Sequence, residues 1–268
     1  MKIQKNVLLK NYTTFKIGGR AKYFFVAKTK KDLIEVINWA KEKKLPFSIL
    51  GGGSNLLVSD RGFSGLVIKF GQPLSSYVSK GLEWAVGIPG TLQGAVYGNA
   101  GAFGKSMKDV VGNVEVFDVD ELRIKNYELS KCKFGYRDSI FKRKKNLIIL
   151  SAEIKTKKSN PKKIKEYLEY RKTTQPLNFP SAGSVFKNPP GFSAGKLIED
   201  CGLKGKRVGN VKISEKHANF IVNLGNGRHP PTARAKDVKK LIDLAKKRVK
   251  NKFGVKLEEE IQYLGFEN

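Results

Sequence analysis

Two rhythms of apolar and polar residues take turns along this chain, and their order predicts a mixed α and β fold. Lys22 to Ala27 is an aromatic and β-branched run that reads as a strand. Thr29 to Asp32 resembles a capping box with Asp in place of Glu, and Leu33, Ile34, Ile37 and Ala40 follow at helical spacing. Pro46 to Leu50 is a short apolar run consistent with a buried strand, and Gly65 to Lys69 is a further strand. Asn113 to Asp118 and Leu147 to Ile154 alternate partially, which predicts a β-rich middle. A helix is expected over 162–172, with Pro161 at its first turn and Ile164, Tyr167 and Leu168 on one face. Thr173 to Pro180, with two prolines, marks a lobe boundary. Ser193 to Cys201 reads as a short helix stopped by Gly202, and Ala218 to Asn223 as a strand. Thr232 is the expected cap of a last long helix that turns Ala235, Val238, Ile242, Ala245 and Val249 inward until Gly254. Alternating elements of this kind argue for small mixed layers.

One stretch breaks both rhythms. Gly87 to Gly104, GIPGTLQGAVYGNAGAFG, carries glycines at 87, 90, 94, 98, 101 and 104, a spacing that predicts no packed helix. Glycine permits positive φ and lets another group lie against the main chain, as a backbone-lined anion or cofactor cradle requires. A second cluster, Gly51-Gly52-Gly53-Ser54-Asn55, directly follows the Pro46 to Leu50 run. Either cluster alone is compatible with a turn-rich connection. Two together suit a long, doubly phosphorylated cofactor better than a single phosphate. The dinucleotide fingerprint GxGxxG is absent, because Gly51-Gly52-Gly53 runs into Ser54-Asn55 without its third glycine. Gly104-Lys105-Ser106 ends like a P-loop, but Asn99 stands where the first glycine belongs.

Charge and cysteine usage narrow the class. The 268 residues hold 52 Lys and Arg against 24 Asp and Glu, a formal net charge of +28. Such a field attracts polyanions, and nucleic acid is the first candidate. The lysines are scattered, and no arginine-rich arm, zinc-finger spacing or RNP-type motif accompanies them, so a solvated lysine surface is the plainer account. No specific nucleic-acid partner is expected. Cys132 and Cys201 lie far apart, which points neither to a disulfide framework nor to a thiolate metal site. With only His217 and His229 available, no metal site is expected. The apolar run Val7-Leu8-Leu9 is too short for a signal peptide or membrane span, so a soluble cytoplasmic protein is expected, without a membrane partner.

The ordered motifs TTFKIGG, LGGGSNLLV, GLEWAVGIPGT with NAGAFG, FGYRDS, PSAGSVFKNP, SEKHANFIVN and FGVKLEEEIQYLG span nearly the whole chain. In that order they resemble the UDP-N-acetylenolpyruvoylglucosamine reductases of bacterial peptidoglycan synthesis. RKTTQPLNFPSAGSVFKNP looks like the shorter subtype of that family. The resemblance implies an α+β fold: an FAD-binding vanillyl-alcohol-oxidase-type flavin region of two lobes, 1–65 and 66–172, and a C-terminal α+β substrate lobe, 173–268. It also implies that NADPH reduces FAD, which then reduces the enolpyruvyl double bond of a UDP-sugar ether to give UDP-N-acetylmuramate. A monomer is expected. Another FAD-dependent oxidoreductase of the same superfold is one alternative, and a basic nucleic-acid-binding protein is the other.

Residue roles follow from the same resemblance. Gly51, Gly52, Gly53, Ser54, Asn55, Gly87, Pro89, Gly90, Thr91, Asn99, Ala100 and Gly101 match the cofactor-binding motifs. Arg137 matches the active-site arginine, Ser184 the serine proton donor and Glu260 the glutamate that helps polarise or protonate the developing enolate. Hydride addition to the terminal carbon of an enolpyruvyl ether moves negative charge toward the carboxylate, where a fixed guanidinium stabilises it. A positioned hydroxyl then supplies the proton to the adjacent carbon. Strand alternation at Glu258-Glu259-Glu260 sets Glu258 and Glu260 on one side, so pattern alone does not choose between those two. Tyr136, Lys187 and Asn188 fall in neighbourhoods that hold the substrate's phosphates and sugar, and His217 belongs to the SEKHANF motif as an ordinary hydrogen-bonded histidine. Two departures stand out. Gln93 and Gly98 replace the family's usual Gly and Met, and only Gln72 to Lys80 occupies the place of a hairpin and helix, which truncates the flavin lobe.

Overall fold

The computed structural model describes residues 1–225 and 232–266. His229 therefore lies outside the described residues. The chain forms two compact units, one of Met1–Lys2, Phe25–Gly52 and Ile68–Tyr170, the other of Ile3–Phe24, Gly53–Val67 and Arg171–Asn268.

In the first unit the Lys30–Glu42 helix begins at the expected capping box. Asp32 N donates to Thr29 Oγ1 at 3.0 Å, and Thr29 N returns a 3.0 Å bond to the Asp32 carboxylate. Leu33, Val36, Ile37 and Ala40 are its buried face. The middle of the chain is an antiparallel sheet in the order Leu147–Ile154, Val111–Asp118, Arg123–Glu128. Arg123–Glu128 escapes the pattern because it is an edge strand whose Ile124 is half exposed, leaving no buried alternation to detect. Val114, Val116 and Ile149 pack with Leu92, Ala95, Val96, Trp84 and Phe141 into one core.

That core corrects the expectation that the glycine stretch holds no packed helix. Leu92–Tyr97 is helical, with Leu92, Gln93, Ala95 and Val96 buried. Thr91 caps it by accepting from Gly94 N at 3.2 Å, and a Cβ on Gly94 would lie only 3.2 Å from the same hydroxyl. Gln93, the departure from family pattern, is satisfied in the core: its Oε1 accepts from Gln72 N at 2.9 Å and its Nε2 donates to Leu150 O at 3.2 Å. A buried carboxamide with both ends paired avoids the cost of an unmet polar group.

In the second unit Gln4–Leu8 pairs antiparallel with Arg20–Val26. A four-stranded antiparallel sheet runs Ser181–Ser184, Phe220–Asn223, Val211–Ile213, Arg207–Val208. The Ala235–Phe253 helix buries Ala235, Val238, Leu241, Ile242, Ala245 and Val249, and Gly254 ends it at φ +70. Thr232 does not cap it. Its N-cap is Arg234, and its first N–H groups, on Ala235 and Lys236, donate to the Asp60 carboxylate at 2.8 and 3.1 Å. An acceptor from a distant loop thus satisfies groups that a local hydroxyl usually serves. The chain's last strand is Gln262–Leu264, parallel to Leu56–Val58. The expected strand through Glu258-Glu259-Glu260 is reduced there to one isolated bridge, Glu259 opposite Phe186. Among the described residues, no helix is long and apolar enough to cross a membrane.

Candidate active site

Ser184 closes the Ser181–Ser184 strand opposite Phe220. Gly183 before it sits at φ +74, a conformation that glycine adopts without strain. Beyond Ser184 the chain is fixed from two directions. Val185 N donates to Asn219 O at 2.8 Å, while the Asn219 side chain accepts from Phe186 N at 2.9 Å and donates to Phe186 O at 2.8 Å. From the other direction, Glu260 N donates to Val185 O at 2.8 Å and Lys187 N to Glu258 O at 2.9 Å. The serine expected to donate a proton and the glutamate expected to assist it thereby belong to one hydrogen-bonded main-chain framework.

The acidic triplet divides its labour. Glu258 is exposed and ion-paired with Lys187, one of the expected substrate residues. Glu259 receives a 2.7 Å bond from Lys246 and another from the Tyr263 hydroxyl. Burial pushes its carboxyl up, but these bonds and the Lys239 charge outweigh burial and hold it below the ordinary glutamate value. Glu260 alone has its main-chain N–H on the residue after Ser184 and its main-chain oxygen on Asn55, whose Nδ2 donates at 3.0 Å. The Asn188 side chain accepts from Ala194 N at 3.0 Å, at the start of the Ala194–Asp200 helix. His217 is half-buried, which lowers its pKa, and its Nδ1 accepts from Asn219 N at 3.2 Å, so it shapes the Asn219 turn.

In the first unit, Tyr136 and Arg137 occupy the corners of a tight turn closed by Gly135 and Asp138. Arg137 takes φ +54, unusual for a side chain of its size, and its Nη2 donates to Gly101 O at 2.9 Å. The guanidinium lies 5.4 Å from the Tyr136 ring centroid, and Tyr136 is 57% exposed. Asn99 is buried at φ +44, and its side chain donates to Gly135 O at 2.7 Å and accepts from Lys108 N at 3.0 Å. Its carboxamide therefore ties down the arginine turn.

The two glycine clusters meet directly. A Cβ on Gly52 would fall 2.5 Å from Gly90 Cα, and one on Gly51 would fall 2.6 Å from Thr91 Oγ1. The short Gln72 to Lys80 link pairs with the same place, through Leu74 N to Gly90 O at 3.0 Å and Leu92 N to Gln72 O at 2.8 Å. In the second unit Gly53 O accepts from Thr14 N at 3.1 Å, and the Thr14 hydroxyl donates to Ser181 O at 2.7 Å. Among the described residues, none of the main-chain N–H groups of Gly51, Gly52, Gly53, Ser54 and Asn55 donates a hydrogen bond. A run of bare main-chain donors fits the phosphates of a dinucleotide. Among the described residues, no group of three or more His, Cys, Asp or Glu is placed to hold a metal ion.

Sequence reasoning missed Asn219, Asp60 and Thr14, each of which holds main chain distant in sequence. Only the presence of Asn219 in SEKHANF and of Thr14 in TTFKIGG signalled either of them.

Residues 21–80 match a family described as FAD binding domain, and residues 175–264 match the C-terminal domain of UDP-N-acetylenolpyruvoylglucosamine reductase. The UDP-N-acetylenolpyruvoylglucosamine reductase of Caldicellulosiruptor saccharolyticus is 46% identical over 291 aligned positions, covering 97% of this chain and 91% of that protein. The alignment is longer than the 268 residues here and so opens gaps in this chain. The reductase of Caldanaerobacter subterraneus is 44% identical, covering 98% of this chain and 94% of its own length. The crystal structure of the Thermus caldophilus reductase superposes with a TM-score of 0.80 at 36% identity, covering 98% of this chain and 99% of that one.

Proposed function

Because this chain belongs to the UDP-N-acetylenolpyruvoylglucosamine reductase family, we propose that it reduces the enolpyruvyl ether of UDP-N-acetylglucosamine to UDP-N-acetylmuramate, with FAD as cofactor and NADPH as hydride donor. Residues 1–65 and 66–172 serve the flavin and 173–268 the substrate; the match over 21–80 supports the flavin role of the residues it covers, and the match over 175–264 supports the last range. Gly51 to Asn55, together with Gly87, Pro89, Gly90, Thr91, Ala100 and Gly101, hold the cofactor. Among the described residues the N–H groups of Gly51 to Asn55 donate no hydrogen bond, which supports that role. Asn99 contributes by fixing the Arg137 turn.

Once reduced by NADPH, FAD held there would supply the hydride chemistry that the double bond requires. The chain's own groups manage the charge and the proton. Arg137 holds the substrate carboxylate and stabilises the electrons displaced onto it, for which a rigid, permanently charged fork is suited. Ser184 gives its hydroxyl proton to the adjacent carbon, so hydride and proton together convert the vinyl ether to a lactyl ether. Glu260 steadies the developing enolate. Tyr136, Lys187 and Asn188 hold the sugar and phosphates, with Lys187 leaving Glu258 as the phosphates arrive. A cytoplasmic monomer is the state proposed. A solution mass near 29.9 kDa checks the second point.

The observation that carries this reading is the bond from Glu260 N to Val185 O, which joins the two expected proton-handling residues in one framework. Its test is Ser184→Ala. The variant should bleach its flavin with NADPH at the parent rate and fail to regain colour when substrate is added. Parent-like turnover removes the serine from its role.

A further inference from the structure

Glu260 lies outside the sheet ladder, since the last strand begins only at Gln262. Hydrogen bonds to Val185 and Asn55 hold the main chain at and after it. Glu260 N and Ile261 N both reach Val185 O, at 2.8 and 3.4 Å. The other two bonds come from one residue. Asn55 Nδ2 donates to Glu260 O at 3.0 Å, and Asn55 O accepts from Gln262 N at 3.0 Å. Asn55 thus brackets the peptide units on either side of Ile261 and fixes the register in which Gln262 then pairs with Leu56. The donor has to be an amide. Aspartate has the same shape but would set a carboxylate oxygen against a carbonyl, and alanine would leave the carbonyl without its partner.

We propose that Asn55 is a positioning residue for Glu260: its side chain fixes the glutamate's main chain relative to Ser184, while its own main chain belongs to the glycine loop. This rests on the catalytic reading of Glu260 given above. One residue at the end of the loop therefore links the cofactor cradle to the proton-handling side of the reaction. The carboxamide is spent on Glu260 O, which leaves the main-chain N–H for the cofactor. Replacing the side chain should then disturb the step in which substrate reoxidises the flavin more than the step in which NADPH reduces it.

The experiment uses the FAD-loaded protein and compares Asn55→Asp, Asn55→Ala, Glu260→Gln and the double variant Asn55→Ala/Glu260→Gln. Anaerobic rapid mixing follows flavin bleaching by NADPH and its recovery with UDP-N-acetylglucosamine enolpyruvate. Both half-reactions are followed in the FAD-holding fraction of each Asn55 variant, and recovery should slow more than bleaching. Recovery should slow about 10- to 100-fold, the scale on which a misplaced catalytic group acts. In the Glu260→Gln background, Asn55→Ala should add little, because both changes remove one contribution. Amide hydrogen exchange at Glu260 to Gln262 in the flavin-free protein should accelerate in Asn55→Ala, a readout independent of activity. Equal slowing of both half-reactions, or additive effects in the double variant, overturn the proposal. If Glu260→Gln itself recovers at the parent rate, the catalytic reading of Glu260 fails and the proposal falls with it. If Glu260→Gln is slow and the Asn55 variants are not, only the role of Asn55 fails.

Discussion

Asn219 holds Phe186 by both of its peptide groups, accepting from N–H at 2.9 Å and donating to C=O at 2.8 Å. This two-point grip lies two residues beyond Ser184, and Val185 N bonds to the main chain of Asn219 itself. A side chain from the SEKHANF motif therefore acts as a short stretch of sheet partner for the strand that carries the proposed proton donor.

Asn219→Ala should be costly twice over. Leaving both Phe186 groups buried and unpaired should lower stability by about 1–3 kcal/mol, read as the midpoint of denaturant unfolding. It should also slow substrate reoxidation of the flavin more than bleaching by NADPH. A stable variant with unaltered half-reactions would show that the grip is dispensable.

The cap of the long C-terminal helix supplies a paired comparison. Asp60→Ala removes the acceptor of two helix N–H groups and should destabilise by about 1 kcal/mol. Thr232→Ala, at an exposed position outside the helix, should stay within about 0.5 kcal/mol. Thermal unfolding of the two variants checks both values, and equal effects would contradict the assignment.

Asp118 sets an acid limit on stability. The hydrogen bond from Lys125 is the chief cause that holds its carboxyl down to about 2, with main-chain donors of Asp120 and Glu121 and the Asn146 side chain adding to it against the opposing push of burial. A folded pKa below the unfolded value of about 3.9 means that the stabilisation is complete above pH 4 and fades as pH falls toward 2. Asp118→Asn should be less stable at neutral pH and should lose less stability between pH 4 and pH 2. The melting temperature across that window measures it, and parallel curves would contradict it.

Two glycines separate packing from flexibility in the cofactor stretch. Gly52→Ala places a methyl 2.5 Å from Gly90 Cα, where only backbone movement makes room, whereas Gly98→Ala meets nothing closer than 3.7 Å. Gly52→Ala should retain less FAD after gel filtration, and Gly98→Ala should retain it as the parent does. The ratio of flavin absorbance to protein decides the comparison.

Elements made by local chemistry were legible in the sequence. Thr29 and Asp32 cap a helix three residues apart, and the alternation of Asn113 to Asp118 and Leu147 to Ile154 marks two strands that pair with each other. The helix Leu92–Tyr97 was hidden because glycine spacing argues against helix, while the fold uses Gly94 to close against Thr91. Asp60 caps a helix some 175 residues away, and Asn55 reaches Glu260 across 205. No local periodicity encodes such links, because a polar side chain that bonds distant main chain leaves the same trace in a sequence as a solvated one.

The most direct measurement mixes the FAD-loaded protein anaerobically with one equivalent of NADPH and then with UDP-N-acetylglucosamine enolpyruvate. The flavin should bleach and then regain its colour on the second addition, with UDP-N-acetylmuramate formed in proportion. Flavin that never reduces, or that stays bleached in the presence of the enolpyruvyl ether, would contradict it.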